Sequence, residues 1–305
     1  MTRRPAIGYG LALAAATMWA LNSSISRALL DDGVDALRLA QLRATGAWAL
    51  LVVALAVGRR ELLRVRRADL PALAFLGVAG LALVHVTYFV AIERLQIGVA
   101  VTIQYLAPLL LLLWLRFRHG RRLGGGLWGA VALSVSGCFL AVRGFDAGAL
   151  DALGLVAAFG AALSFAIYLA GAERAGHRLQ PVTTLAWALG FAAAAWALAL
   201  PWWRFPFDQL GSAEAWALAA GVIVVGTLLP FAAMLAAVRH IPGPRAAIVA
   251  TLEPVLSAVF AWLLHDEGLA AIQLAGGALV LAAVVWVQAR PADPDVEYAP
   301  LREAR

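Results

Sequence analysis

The stretch ATLEPVLSAVF, residues 250–260, places a carboxylate and a helix-breaking proline side by side inside an apolar run. A carboxylate such as Glu253 is costly in an apolar environment unless a partner or a wet cavity compensates it. Pro254 has no backbone N–H, so a helix that contains it leaves one carbonyl without its usual donor. We therefore expect the Glu253 carboxylate, and the carbonyl left without a donor by Pro254, to have hydrogen-bond or charge partners elsewhere in the chain.

The chain as a whole has the composition of a membrane protein. Of its 305 residues, 63% are hydrophobic and 14% are charged, whereas soluble domains average about 45–50% apolar and about 25% charged residues. The formal net charge is +6. The basic residues lie in short clusters between apolar runs and not along a polar face, which argues against nucleic acid as a partner.

Ten segments are apolar enough to cross a bilayer, which takes about 20 mostly apolar residues per helix. The predicted fold is an all-α integral membrane protein with ten transmembrane helices, at residues 7–30, 36–57, 71–92, 97–117, 125–143, 152–171, 181–203, 213–238, 243–264 and 269–289. The polar stretch that follows, residues 290–305, is predicted to be a cytoplasmic tail.

Arginine placement predicts the orientation of the chain, because the cytoplasmic loops of membrane proteins are enriched in basic residues. If the N-terminus is inside the cell, most of the 24 basic residues fall on the inner side. The loops then predicted to be outside carry acidic residues such as Asp31, Asp151, Asp208 and Glu267. Both termini are therefore predicted to face the cytoplasm.

A shift of 146 residues brings the two halves of the chain into register, and Pro108 then corresponds to Pro254. Each half holds five predicted helices. Because five is an odd number, the second half enters the membrane from the opposite side. The prediction is an inverted repeat formed by residues 7–143 and 152–289.

Inverted repeats are common in secondary transporters, whose substrate sites lie near the bilayer midplane beside helices interrupted at corresponding positions. In this chain those are predicted helices four and nine, with helix breaks at Pro108 and Pro254. Glu253 has no counterpart, since Ala107 occupies the corresponding position. Both halves thus have a proline at this position, and only the second half has a carboxylate before it.

Five segments carry a family resemblance: GYGLALAAATMWALN in predicted helix one, helix two with Arg43, AIERLQIGVA before helix four, YLAPLLLLL in helix four and LEPVLSAVF in helix nine. They resemble the drug/metabolite transporter superfamily, and the repeat is similar to the EamA domain. The resemblance covers residues 7 to 289. Among such proteins, the chain most resembles bacterial exporters of amino acids, including aromatic ones and threonine or homoserine.

This resemblance implies a secondary transporter of the bacterial inner membrane that exports small metabolites by alternating access, through a central cavity between the repeats. The leading substrates are amino acids with aromatic or other uncharged side chains. The chain has no lysine and no GxxxxGK[ST] motif for ATP, so transport follows a solute gradient or couples to an ion, with a proton as a candidate partner. No cofactor is implied, and the short loops are compatible with a monomer.

Other functions stay open from the sequence. Nucleotide sugars and drug-like cations are alternative solutes for a transporter of this kind. An intramembrane enzyme is an alternative from another class, but the five histidines are scattered and no HExxH motif occurs. No catalytic residue and no metal site is predicted, and the predicted two-sided symmetry argues against a sensor or scaffold.

Glu253 and Arg43 are the charged candidates for a substrate cavity. Glu253 lies about ten residues into its predicted helix, or ~15 Å deep at ~1.5 Å per residue. It is interpreted either as a cavity carboxylate that meets a substrate ammonium or a proton, or as a brace for backbone loosened by Pro254. Arg43 is the predicted partner of Glu253, and it could equally bind a substrate carboxylate.

The other cavity candidates are polar or aromatic residues at similar depth. His85 and Tyr88 are one turn apart on one face of predicted helix three, and Asn22 and Gln104 are uncharged amides. Plain packing is the alternative interpretation for His85 and for the aromatic members, and a bridge between helices is the alternative for the two amides. The remaining candidates are Trp19, Tyr105, Phe165, Tyr168, Phe231 and Met234, of which Trp19 corresponds to Phe165 and Asn22 to Tyr168 in the repeat.

Overall fold

The computed structural model describes residues 5–107, 109–110, 113–114, 125–141, 151–176, 178–237, 240–241, 246 and 249–289. Within these residues all regular structure is helical, which confirms the predicted all-α fold class. The predicted helix break at Pro108 and the predicted tail, residues 290–305, lie outside the described residues.

Six α-helices occur in the first half of the described chain. They are α1 Pro5–Asp31, α2 Ala36–Gly58, α3 Leu70–Phe75, α4 Leu83–Arg94, α5 Ile97–Gln104 and α6 Gly125–Ala141. The start of α2 is set by Asp35, whose carboxylate accepts hydrogen bonds from the backbone N–H groups of Leu37 and Arg38. Such an N-cap satisfies donors that have no partner inside the helix.

Six α-helices also occur in the second half. They are α7 Ala152–Gly176, α8 Pro181–Ala199, α9 Ala213–Ile223, α10 Leu229–Ala237, α11 Glu253–His265 and α12 Ala271–Ala289. Pro181 and Pro254 lie in the first turns of α8 and α11, where the fixed backbone angle of proline suits a helix.

Five continuous helical stretches within the described residues are long and apolar enough to cross a membrane: Ala36–Gly58, Arg67–Arg94, Ala152–Ala172, Pro181–Ala199 and Ala213–Met234. Helix α1 has 27 residues but is not among them. Predicted helices four, five, nine and ten are described only in part or as shorter apolar helices. These findings support a membrane protein, and the count of ten helices stays a prediction.

Two turns interrupt helices at corresponding places in the two halves. The first follows α5 and consists of Tyr105 and Leu106, and the second precedes α11 and consists of Thr251 and Leu252. The spacing of 146 residues places one turn on the other. The two interrupted regions lie side by side, because α5 packs against α11.

Two π-helical segments also occupy corresponding places, and nothing in the sequence pattern predicted them. The first π segment, Leu76–Ala82, joins α3 to α4, and the second π segment, Val224–Leu228, joins α9 to α10. Shifted by 146 residues, the first segment covers residues 222–228 and so contains the second. Such wide turns are rare and are found frequently at functional sites.

The helices of the two halves pack reciprocally and do not form separate bundles. Helix α4 packs against α7, and its counterpart α10 packs against α1, which is the counterpart of α7. Helices α6 and α12, which correspond to one another, pack along each other. This exchange of partners is what a two-fold relation between the halves produces.

Close packing of α6 on α12 depends on glycine. A Cβ atom on Gly276 would lie 2.4 Å from the backbone nitrogen of Ala141, and a Cβ atom on Gly137 would lie 2.7 Å from the carbonyl oxygen of Gly276. Neither backbone atom can move aside as a side chain would. Small residues allow such approach between membrane helices.

We therefore predict that Gly276→Ala lowers the free energy of unfolding by about 1–3 kcal/mol, the usual cost of overpacking. The neighbouring Gly277→Ala is the matched control, because its added Cβ would meet only the Thr102 hydroxyl, at 3.7 Å. Thermal unfolding of the two purified variants in detergent measures the difference. Equal melting temperatures would contradict the predicted clash.

Candidate functional site

A buried polar centre is formed by side chains of α1, α2, α4 and α11, of the turn after α5 and of the second π segment. Its side chains are between 0% and 9% exposed. Polar groups at membrane depth require partners, so the hydrogen bonds in this centre compensate for the burial of its side chains. The members are Asn22, Ser23, Arg43, His85, Tyr88, Tyr105, Thr227, Glu253 and Ser257.

Tyr105 holds the start of α11. Its hydroxyl oxygen lies 2.8 Å from the carbonyl oxygen of Ala250 and 2.7 Å from Oε2 of Glu253. In an unbroken helix, the Ala250 carbonyl would accept a hydrogen bond from the N–H four residues on, and that residue is Pro254. Tyr105 supplies, from the facing turn, the donor that the proline lacks.

Arg43 binds the second π segment. Its Nε donates to the Thr227 hydroxyl at 3.0 Å, and its Nη2 donates to the Gly226 carbonyl at 3.0 Å. The guanidinium carbon lies 5.7 Å from the centre of the Phe89 ring, within the range of a cation–π contact. A buried cation thus stabilises backbone that departs from α-helical geometry.

The predicted ion pair between Arg43 and Glu253 is wrong. Arg43 reaches the second π segment and Glu253 reaches Tyr105, so the two side chains are held on different neighbours. Neither has an oppositely charged group within 4 Å among the described residues. The two ionisable groups are nevertheless within electrostatic range of one another.

Tyr88 and two serines connect three helices of the centre. The Tyr88 hydroxyl donates to Ser23 Oγ at 2.8 Å, and Ser23 Oγ lies 3.4 Å from Ser257 Oγ. These contacts join α4 to α1 and α1 to α11. Ser257 is one turn after Glu253, so its i, i+4 spacing in the sequence could have identified it.

Two candidate side chains keep buried atoms without a hydrogen-bond partner among the described residues. They are His85, through Nδ1, and Gln104, through Oε1. An unpartnered buried polar atom costs about 1–3 kcal/mol. His85 is 6% exposed and lies within electrostatic range of Arg43, so it is available to a polar ligand or water in this centre.

The amide of Asn22 marks the closest approach of α1 to the second π segment. A Cβ atom on Gly226 would lie 2.0 Å from Asn22 Oδ1, so only glycine fits beside this amide. The corresponding pair, Gly80 and Tyr168, repeats the arrangement more loosely, with a Cβ on Gly80 3.2 Å from the Cβ of Tyr168. Gly226 and Thr227 were not identified from the sequence, although the repeat pairs Gly80 with Gly226.

The predicted aromatic candidates do not form one lining. Trp19 packs edge-on against Phe231, with ring centres 5.5 Å apart, and both lie beside the centre on α1 and α10. Phe165 and Tyr168 stack on one another on α7 at 6.3 Å. Met234 packs with a separate apolar cluster that includes Ala12 and Ile241.

A cavity of about 470 Å³ lies between α5 of the first half and α11 and α12 of the second, and Pro254, next to Glu253 in the chain, is the lining residue that joins it to the polar centre. Its walls are mostly apolar and include Thr102, Pro254 and Trp262. This volume falls within the usual range for small-molecule sites. A larger concavity of about 670 Å³, lined by Arg64, Arg66, Asp69 and Arg178 among others, lies at loops away from the polar centre.

A polar network joins the two halves near the end of the cavity. Arg27 donates to the Ile92 and Leu95 carbonyls and forms an ion pair with Glu267, Nη1 to Oε1, at 3.2 Å. The other carboxylate oxygen of Glu267 accepts from the Ile97 N–H at 2.8 Å. The Gln96 side chain donates to the Gly268 carbonyl at 3.0 Å. Arginine at a helix C-terminus and glutamate at the next N-terminus complement both helix dipoles.

The model of the EamA-like transporter family matches residues 6–143 and 152–288 of this chain. Threonine/homoserine exporter RhtA of Escherichia coli (strain K12) is 30% identical over 220 residues, which are 70% of this chain and 69% of that protein. An uncharacterized transporter of Archaeoglobus fulgidus is 28% identical over 199 residues, 65% of this chain and 70% of that protein.

A third relative and a solved structure are also similar to this chain. Uncharacterized inner membrane transporter YicL of Salmonella typhimurium is 25% identical over 224 residues, 72% of this chain and 74% of that protein. The crystal structure of another protein superposes with a TM-score of 0.60, over 93% of this chain and 95% of that chain, at 21% identity. At that identity, the structural match shows a shared fold alone.

We predict that Tyr105→Phe lowers the free energy of unfolding, because it leaves two buried oxygens without this hydroxyl. Each orphaned buried polar group costs about 1–3 kcal/mol. Thermal unfolding in detergent measures the loss. Tyr9→Phe is the control, since Tyr9 is 39% exposed and makes no hydrogen bond among the described residues. A Tyr105→Phe variant as stable as the control would contradict this role.

Proposed function

The chain belongs to the EamA-like transporter family, and from that premise we propose that it exports amino acids with uncharged side chains across a bacterial inner membrane. The relatives that match it include a threonine/homoserine exporter and an inner membrane transporter. The proposed substrates range from threonine and homoserine to aromatic amino acids.

One observation carries this proposal: a guanidinium and a carboxyl group are both buried in the polar centre and do not neutralise one another. Arg43 is 8% exposed and Glu253 is 9% exposed. A buried cation without a contacting anion is costly, and the carboxylate of an amino acid would supply that anion through charge-assisted hydrogen bonds. Buried oxygens of Asn22 and Ser23 are within the same centre for the ammonium.

The cavity beside Pro254 supports a route for the substrate. It lies between the two halves, which is where transporters built from inverted repeats hold their substrates. Its apolar walls suit an uncharged side chain, while the polar centre suits the ammonium and carboxylate. We propose that the halves move about this cavity to give alternating access, with both termini in the cytoplasm.

Counterflow in liposomes tests the substrate class. We expect the purified protein to exchange labelled threonine, homoserine or phenylalanine, each against an excess of the same unlabelled amino acid. Protein-free liposomes control for leakage. Exchange of a nucleotide sugar or a quaternary amine, with no exchange of any amino acid, would overturn the proposal.

We predict that Arg43→Gln lowers amino-acid counterflow at least about tenfold, because one charge-assisted hydrogen bond contributes about 1.5–3 kcal/mol. Inhibition by the decarboxylated amine of the same substrate should stay unchanged, which separates carboxylate binding from loss of folded protein. Arg38→Gln is the control on the same helix; Arg38 is partly exposed and donates to Gln41. Equal loss of amino-acid and amine binding would contradict a carboxylate site.

The network at Glu267 gives a test of alternating access. Cysteines replacing Gln96 and Gly268, in a Cys138→Ser background, are joined by a short cleavable crosslinker. If this end of the protein must open, crosslinking stops counterflow and cleavage of the crosslinker restores it. Each single-cysteine variant treated in the same way is the control. Undiminished counterflow in the crosslinked protein would show that these segments stay together during transport.

A further inference from the structure

Three oxygen atoms meet at the start of α11, and they need more hydrogens than Tyr105 provides. The Tyr105 hydroxyl oxygen lies 2.8 Å from the Ala250 carbonyl oxygen and 2.7 Å from Oε2 of Glu253. Both distances are those of full O–H···O hydrogen bonds. A tyrosine hydroxyl has one hydrogen to donate, and a carbonyl oxygen only accepts. The second hydrogen must come from the remaining partner, Glu253.

The Ala250 carbonyl determines where the Tyr105 hydrogen goes. Pro254 follows four residues later and has no N–H for this carbonyl. If Tyr105 donates to Ala250, the carboxyl group of Glu253 donates to Tyr105, and both short contacts are satisfied. An ionised Glu253 would take the Tyr105 hydrogen and remove the donor that replaces the missing N–H.

The surroundings of Glu253 also favour an uncharged carboxyl group. Helix α11 packs against α1 and α5. The ionisable group that faces Glu253 from the turn after α5 is Tyr105, and the contact from α1 is the non-ionisable Ser23, against Ser257. Arg43 of α2 and Tyr88 of α4 act on Glu253 only through longer-range electrostatics. No cation lies within 4 Å of Glu253 in the described part of the chain, and a buried charge without a partner is costly.

We infer that Glu253 is the proton-binding site that couples this transporter to a proton gradient, and that it carries its proton in the conformation of the structure. The inference rests on the proposed function. When Glu253 releases the proton to the cytoplasm, its carboxylate competes with Ala250 for the single hydrogen of Tyr105. Proton release and the packing of the interrupted helices α5 and α11 are thereby linked. One proton from outside then binds as one amino acid leaves.

Infrared spectroscopy tests the protonation state without any transport assay. At neutral pH the wild-type protein should show the C=O band of a buried, hydrogen-bonded carboxylic acid. The band should disappear in Glu253→Gln and persist in Glu93→Gln, a variant at an exposed carboxylate. Tyr105→Phe, which leaves Glu253 in place, should move the band to higher frequency. A wild-type protein without this band at neutral pH would overturn the inference.

Transport measurements test the coupling. Glutamine can donate an N–H to Tyr105 as the carboxylic acid does, so Glu253→Gln should keep the hydrogen-bond pattern and retain amino-acid counterflow at equal pH within about twofold. Proton-driven accumulation should be lost. At zero membrane potential the wild type should accumulate amino acid about tenfold for each unit of pH difference, as exchange of one proton per amino acid requires.

The outcomes separate the two proposals. Absence of wild-type counterflow for every amino acid overturns the proposed function. Wild-type counterflow together with proton-driven accumulation by Glu253→Gln overturns the coupling inference alone. Loss of counterflow in a folded Glu253→Gln protein also overturns it, because the carboxylate would then be needed to bind the substrate. Glu93→Gln should match the wild type in both assays.

Discussion

Pro254 brings no N–H to its helix, and the polar centre depends on how that missing hydrogen bond is replaced. The replacement is the hydroxyl of Tyr105, which lies on the other interrupted helix and contacts both the Ala250 carbonyl and Glu253. The carbonyl of Ala250, just before α11, thus has a hydrogen-bond donor only when the two halves of the protein pack together. The same hydroxyl brings a carboxyl group into a buried polar contact between them, so the architecture and the proposed chemistry share one group.

Symmetry and asymmetry have different origins in this protein. Both halves carry a helix interruption, a π segment and a glycine at its closest contact, as Gly80 and Gly226 show. The two buried ionisable groups are not repeated, because Leu189 corresponds to Arg43 and Ala107 corresponds to Glu253. The irregular backbone follows from the repeated architecture. Each ionisable group occurs once, which is what recognition of an asymmetric zwitterion and a single coupled proton would require.

Particular residues show where prediction from the sequence succeeds and where it fails. Arg43, Tyr88, Tyr105 and Glu253 were identified because polar groups in apolar runs are rare, and the structure brings them into one centre. The Arg43–Glu253 ion pair was wrong, since each side chain found a different partner. The π segments were missed because a single wide turn leaves the apolar composition of a helix unchanged.

Composition and periodicity alone determined the membrane character, the helical class and the register of 146 residues that relates the halves. These are local or additive properties, because each residue contributes its own apolarity and each proline its own missing donor. Only the tertiary structure decided that the Tyr105 hydroxyl contacts the Ala250 carbonyl and Glu253, and that Arg43 donates hydrogen bonds to Gly226 and Thr227. A hydrogen bond tolerates errors of a few tenths of an ångström, so the rotation and offset of packed helices select its partners.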